Sequence, residues 1–197
     1  VLRFFTSYDM QGKLWVDDFA VEYVVDPIKL AENFEPLQDV ADNFETDLYT
    51  NHDGSQLWAG PWVEFGDDFR VDGGHIRIDK EQLRIEDEDR GIQRMVDLSN
   101  AGSATLSFDF WRENMDKPEE FVTLQISPDG GVTWADVTVI EALDDDKQVY
   151  TVQYDISDYM SAETIVRFRT SSGMNDKLWV DNFTISYVTY SPTEWGT

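Results

Sequence analysis

Apolar and polar residues alternate with a period of two along most of the chain between residues 74 and 188. The runs Gly74–Asp79, Gln82–Glu86, Gly91–Asp97, Thr105–Trp111, Phe121–Ser127, Thr133–Ile140, Gln148–Ile156, Thr164–Thr170 and Lys177–Val188 read as strands. In Thr105–Trp111, Leu106, Phe108 and Phe110 share one face. In Lys177–Val188, strict alternation puts Trp179, Asp181, Phe183, Ile185 and Tyr187 on one face and Leu178 and Val180 on the other. A strand apolar on both faces belongs inside a sandwich. Turn residues separate the runs: Lys80-Glu81, Asn100-Ala101-Gly102, Pro128-Asp129-Gly130-Gly131 and Asn175-Asp176. Helical signal is confined to residues 27–40, where Pro36 interrupts it. The pattern predicts an all-β chain folded as a jelly-roll β-sandwich.

The chain also repeats itself. Residues 1–24 and 165–188 are identical at 13 of 24 positions, an offset of 164. Chance does not produce such a match. Residues 1–24 thus correspond to the tail of a preceding unit, predicted as an extra β-hairpin. Residues 25–40 read as a linker, 41–190 as the sandwich and 191–197 as the start of a further linker. A chain that opens on Val1 with a partial unit suggests a piece of a longer array. Two readings of residues 1–24 stay open: a remnant of that array, or a donor segment that pairs with a neighbouring copy by strand addition.

Composition narrows the partners. The 197 residues hold 15 Lys+Arg against 40 Asp+Glu, a formal charge of −25. That field opposes nucleic acid and anionic lipid, and favours cations. No run approaches the length of a membrane-spanning helix, so membrane insertion is not expected. With no cysteine, neither disulfides nor thiolate metal sites exist.

Carboxylates at the two ends of the sandwich provide a candidate metal site. Asp42-Asn43-Phe44-Glu45 opens the body, and Asp181-Asn182 lies in its last strand. In a jelly roll the first and last strands are neighbours, so these residues can face one Ca²⁺, which takes about six to eight oxygen ligands. Asp181 alternates with aromatics, where a carboxylate needs a partner. That partner is a metal ion or, alternatively, a salt bridge to Arg167 or Arg169 of the preceding strand, or backbone hydrogen bonds. Asp17 is the matching residue of the partial repeat. Asp87 and Asp89, in the acidic turn after Glu86, are weaker candidates for a second, looser Ca²⁺. The dense acidic loops also read simply as solvated surface. Trp58 and Trp62 lie in a Gly/Pro-containing loop and read either as core anchors or as rings on which a sugar stacks.

The opening Asn43-Phe44-Glu45, the central Leu106-x-Phe108-x-Phe110 and the closing Asp181-Asn182 strand resemble MAM-type and carbohydrate-binding-module jelly rolls of bacterial extracellular surface proteins. The loop Trp58–Glu64 resembles one in bacterial MAM-like domains. The resemblance spans residues 41–188 and implies a structural Ca²⁺ at Glu45 and Asp181, with Asp42, Asn43 and Asn182 beside them. Animal MAM domains carry cysteine pairs, which this chain lacks. Ser127-Pro128-Asp129-Gly130-Gly131-Val132-Thr133-Trp134 matches the Asp-box pattern S-x-D-x-G-x-T-W of sialidase blades and reelin-type repeats, which implies a structural hairpin clamp. His52 and His75, the only histidines, lie in no catalytic frame. The function expected is that of a non-catalytic, calcium-stabilised extracellular or cell-surface repeat, serving as adhesin, spacer or fibre subunit. The alternative is a carbohydrate-binding module that stacks glycans on Trp58 and Trp62.

Overall fold

The computed structural model describes residues 37–144 and 146–189. The expected donor segment 1–24 with Asp17, most of the linker 25–40 and the segment 191–197 lie outside these residues. Eleven strands form two antiparallel sheets. They are β1 (Gln38–Asp42), β2 (Val63–Phe65), β3 (Ile76–Asp79), β4 (Gln82–Glu86), β5 (Gly91–Val96), β6 (Ala101–Glu113), β7 (Phe121–Ser127), β8 (Ala135–Glu141), β9 (Tyr150–Asp155), β10 (Thr164–Thr170) and β11 (Lys177–Thr189). One sheet runs β3-β4-β11-β6-β9, with β1 also paired to β11; the other runs β2-β5-β10-β7-β8. Inward residues from both sheets form one core that includes Leu106, Phe108, Leu124, Phe168 and Phe183.

Each of the nine runs read from periodicity forms a strand, with ends shifted by a few residues. Two short strands carry no such pattern. β1 starts at Gln38, inside the segment expected as linker, and β2 has three residues. The counterpart of the repeat is not a hairpin either. β10 and β11 lie in opposite sheets, each with neighbours on both sides.

The long strand β11 organises its sheet. It pairs with β6 from Lys177 to Thr189 along one edge. Along the other edge β4 covers Lys177–Val180 and β1 covers Phe183–Tyr187. Between these partners the β6 register slips by one residue after Asp181, and Asn182 has φ of 50°. This bulge breaks the strict alternation expected for the strand. Leu178 and Val180 point into the core before it; Phe183, Ile185 and Tyr187 do so after it. Trp179 and Asp181 are therefore on the outer face, not on the face of Phe183. Trp179 stacks there on Trp111, centroids 5.0 Å apart and planes 3° from parallel.

The β3–β4 hairpin turns on Lys80 and Glu81, both left-handed at φ of 56° and 62°. Two left-handed central residues match the right-handed twist of a hairpin, at a cost for side chains other than Gly or Asn.

A buried ion pair ties β1 to the other sheet. Arg94 Nη1 donates to Asp42 Oδ2 at 2.7 Å, and both side chains are almost fully buried. Asp42 also accepts from Trp62 Nε1, the Phe44 amide and Asn51 Nδ2. The other guanidinium nitrogens donate to the carbonyls of Gly60 and Asn51. One arginine thus closes the whole 43–62 connection. Burial lowers the Arg94 pKa to about 10, which leaves it charged at neutral pH. Removing one partner strands a buried charge. Asp42→Ala should lose about 3–5 kcal/mol, read by denaturant unfolding, whereas the double change Asp42→Leu with Arg94→Met should lose much less. Equal losses for both variants would contradict this role.

Candidate functional site

Residues on two outer faces of the sandwich gather chemistry. The first place is the gap between β4 and β1. Asn43, Glu45, Gln82, Asp181 and Asn182, together with the hairpin tip Lys80-Glu81, line a cleft of about 330 Å³. The structure therefore brings together four of the five residues expected at the metal site. The fifth, Asp42, points the other way and is occupied by Arg94. Among the described residues Asp181 has no arginine partner: Arg167 and Arg169 belong to β10, in the opposite sheet. It accepts from the Asn182 amide at 2.7 Å and more distantly from Gln82 Nε2 at 3.4 Å. Burial raises its pKa, and the nearby carboxylates of Asp109 and Glu81 push it further. The donors around this cleft are oxygens of carboxylates and amides, which fits a hard cation.

Asp87 and Asp89 do not form a second such cleft. Asp87 is taken up by Arg90, whose Nε and Nη2 donate at 2.9 and 2.6 Å. A different trio, Glu64, Asp67 and Asp68, brings one carboxylate oxygen each within 4.8 Å of the others. These groups already serve the fold. Glu64 accepts from the Tyr49 hydroxyl and the Phe69 amide. Asp67 Oδ2 accepts from the amides of His75 and Ile76.

The rings expected to stack sugars are core anchors. Trp58 is 8% exposed and Trp62 2%. They pack on each other and on Phe183, and the Arg94 guanidinium lies over both, 4.5 and 5.6 Å from the ring centroids. Their indole N–H groups are bound to the Ala41 carbonyl and to Asp42. Trp62 is closed off in the core, while Trp58 shows a small exposed part to a cavity of about 380 Å³ that it lines with His52, Leu57, Pro61 and Arg94.

The second place is the outer face of the five-stranded sheet. Here the register aligns Gln93, Arg167, Gln125 and Asp136 in one row across β5, β10, β7 and β8. The row is hydrogen-bonded: Arg167 Nε donates to Gln125 Oε1 at 2.7 Å, and Gln125 Nε2 donates to Asp136 Oδ1 at 2.6 Å. The Arg167 guanidinium lies 3.4 Å from the centroid of the Trp134 ring and 5.8 Å from that of Phe65. Burial lowers the Arg167 pKa, and Arg169 lowers it further. Phe65 lies against the sheet because its register partner is Gly91, where a Cβ would come within 2.0 Å of the ring. A shallow cavity of about 240 Å³ lies at the Gln93 end of the row, bordered also by Val63 and Ile165. Another of about 500 Å³, lined by Phe121, Val139 and Glu141, lies further along β7 and β8, away from the row. Periodicity marked these positions as the polar side of their strands, but only the strand order places them in one row.

Trp134 is held by the turn before β8. Ser127 Oγ donates to Asp129 Oδ1, which also accepts from the Thr133 amide at 2.8 Å. Thr133 Oγ1 donates to Asp129 Oδ2 at 2.6 Å, and Trp134 Nε1 donates to the Gly131 carbonyl at 2.9 Å. The turn thus fixes the ring over Arg167.

Comparison with solved structures fits this architecture. A variant of a family 29 carbohydrate-binding module, made to probe ligand recognition, is 14% identical over 77% of this chain and 92% of its own, with a TM-score of 0.51. Another family 29 module is 13% identical over 77% and 90%, also at 0.51. The fold is a jelly-roll β-sandwich. A family 22 xylan-binding domain from Paenibacillus barcinonensis is 15% identical over 78% and 97%, at 0.48. No protein-family model matches the chain, and neither does any curated protein. Among the described residues no helix is long and apolar enough to cross a membrane.

The hydrogen bonds to Asp129 hold its pKa down at about 2, below the ordinary 3.8, the Thr133 hydroxyl and amide contributing most. A depressed folded-state pKa means that the turn keeps its full contribution above pH 3.8. It loses that contribution as pH falls towards 2. The Thr133 amide resonance should therefore titrate with a midpoint near pH 2. A midpoint near 3.8 would show that the clamp is absent in solution.

Proposed function

We propose that this chain is a non-catalytic, extracellular glycan-binding module whose binding surface is the outer face of the five-stranded sheet. The observation that carries this reading is the row Gln93–Arg167–Gln125–Asp136 with Trp134 and Phe65 beside it. Planar amide, guanidinium and carboxylate groups offer directed donors and acceptors to sugar hydroxyls. Aromatic rings beside them offer faces to the C–H side of a pyranose. The likeness to carbohydrate-binding modules supports the glycan over the adhesin or spacer role. A charge of −25 favours neutral glycans over uronic or sulfated ones.

The test is calorimetric titration of the full chain against a panel of soluble neutral oligosaccharides. Arg167→Ala should weaken the best binder at least about tenfold, since it removes charge-assisted hydrogen bonds to the ligand. Trp58→Phe should leave affinity unchanged. Undiminished binding by the Arg167 variant would move the site away from this face.

The reading includes a stabilising Ca²⁺ at the Asp181 cleft, held by Asp181 and Glu45 with the amide oxygens of Asn43 and Asn182. Such an ion supplies positive charge where Asp181, Asp109 and Glu81 crowd. A carboxyl whose folded-state pKa is raised is destabilising once ionised, so it costs stability as pH rises from its unfolded value through its folded one. Relative to Asp181→Asn, the wild-type chain should lose melting temperature in chelator across that window, and millimolar Ca²⁺ should restore it. Asp181→Asn should show no Ca²⁺ response. An equal response in both proteins would exclude Asp181 as a ligand.

A further inference from the structure

The outer face of the five-stranded sheet changes character along β7. Gln125, Thr123 and Phe121 follow one another on that face, since Val122, Leu124 and Ile126 point into the core. The register places Val139 opposite Thr123 and Glu141 opposite Phe121. A cavity of about 500 Å³ lies over this end of β7 and β8, lined by Asp116, Pro118, Phe121, Val139, Glu141 and Ala142. Phe121 is four residues from Gln125. At the usual rise that is about 13 Å of strand.

The cavity is held open by its own walls. Asp116 and Pro118 belong to the β6–β7 connection, which folds around Glu120. That carboxylate is fully buried and accepts from the Asp116 and Lys117 amides at 3.2 and 3.1 Å and from Lys117 Nζ at 2.9 Å. The Leu143 amide donates to the Met115 carbonyl at 2.9 Å, which ties the β8 side of the cavity to this connection. Arg112 Nε donates to the Glu141 carbonyl at 2.8 Å and fixes the end of β8.

Four of the six lining residues are apolar, and the other two are carboxylates. Among the described residues neither the Asp116 nor the Glu141 carboxylate has a hydrogen-bond or ion-pair partner. Lys117, beside Asp116, donates instead to Glu120 and Asp176. Arg169, opposite Thr123 on β10, does not line the cavity. A metal ion is a poor occupant, because Ca²⁺ takes about six to eight oxygens and gains nothing from apolar walls. An organic cation matches both parts of the lining. Its charged end meets the carboxylates in charge-assisted hydrogen bonds, and its body packs on Pro118, Phe121 and Val139. The net charge of −25 draws it in.

We propose that this cavity is an ammonium subsite of the glycan-binding face, so that the preferred ligand is a glycan carrying free amino groups, with the amine of one sugar held by Asp116 and Glu141. The proposal rests on the glycan reading and names the class of sugar that the face takes. A sugar chain is favoured over a basic peptide because the cavity and the row share one face, within the reach of one oligosaccharide.

The experiment is calorimetric titration of the full chain at about pH 5.5, where exposed carboxylates are ionised and amines protonated. The probes are a soluble glucosamine oligosaccharide and its N-acetylated counterpart of equal length. The amino oligomer should bind about fivefold more tightly, the scale of an ammonium beside exposed carboxylates. Asp116→Asn with Glu141→Gln should remove that advantage and leave the affinity for the N-acetylated oligomer unchanged. Both residues are exposed, so this variant should melt as wild type does. Asp47→Asn with Asp72→Asn makes the same change of charge at exposed positions outside the cavity and should keep the advantage.

Absent binding of the amino oligomer, equal affinity for the two oligomers, or an equal loss in both double variants would overturn the proposal. The glycan face has its own readout: Arg167→Ala should weaken both oligomers, and failure of the subsite alone leaves that effect in place. Tetralysine bound as tightly as the amino oligomer, with the same dependence on Asp116 and Glu141, would assign the cavity to a basic peptide and overturn the glycan class.

Discussion

The arrangement of this sandwich depends on the length of β11. Thirteen residues of strand need partners on both edges, and β6 supplies one edge in full. The other edge is divided between β4 and β1, which approach from opposite ends and leave a gap. The bulge at Asp181–Asn182 falls in that gap. It lets residues before and after it both fill the core while it turns a carboxylate outward. The cleft that gathers Glu45, Asn43 and Gln82 around Asp181 exists because two short strands share the work of one long one.

The two surface sites differ in physical character. In the Asp181 cleft, burial makes the charge of Asp181 costly and the carboxylates of Asp109 and Glu81 add to that cost, while Lys80 lines the same cleft. On the face around Arg167, hydrogen bonds join Arg167, Gln125 and Asp136, and the Trp134 and Phe65 rings lie near the guanidinium. On the proposed reading an ion completes the first site, and the ordered side chains of the second leave less entropy to be lost when a ligand with many weak hydroxyl contacts binds.

Much of this could be read in the sequence because period-two patterning dominates wherever a strand has one face in the core. β1 and β2 escaped that reading for particular reasons. Gln38–Asp42 contains one β-branched residue among polar ones, and its inward Asp42 is buried by an arginine from the opposite sheet rather than by apolar neighbours. Val63–Phe65 is too short to show a period. The bulge was hidden because strict alternation through Asp181 keeps an apolar residue at every second position on either side. That Asn43, Glu45, Asp181 and Asn182 meet could be read from the rule that first and last strands adjoin. Asp42 was misplaced because its charge was assigned to a cation in solution and not to Arg94. The row Gln93–Arg167–Gln125–Asp136 needed the order β5-β10-β7-β8, which no local pattern encodes. The visible loop tryptophans drew attention to rings that the core in fact consumes.

The most direct test of the glycan face is a two-dimensional NMR titration with the best-binding neutral oligosaccharide, following indole, guanidinium and side-chain amide resonances together. The Trp134 indole, Arg167 Nε–H and Gln125 side-chain amide should shift in parallel and saturate at one stoichiometry, while the indoles of Trp58 and Trp62 stay in place. Shifts confined to Trp111, Trp179 and Gln82 would put the ligand on the opposite sheet and contradict the account.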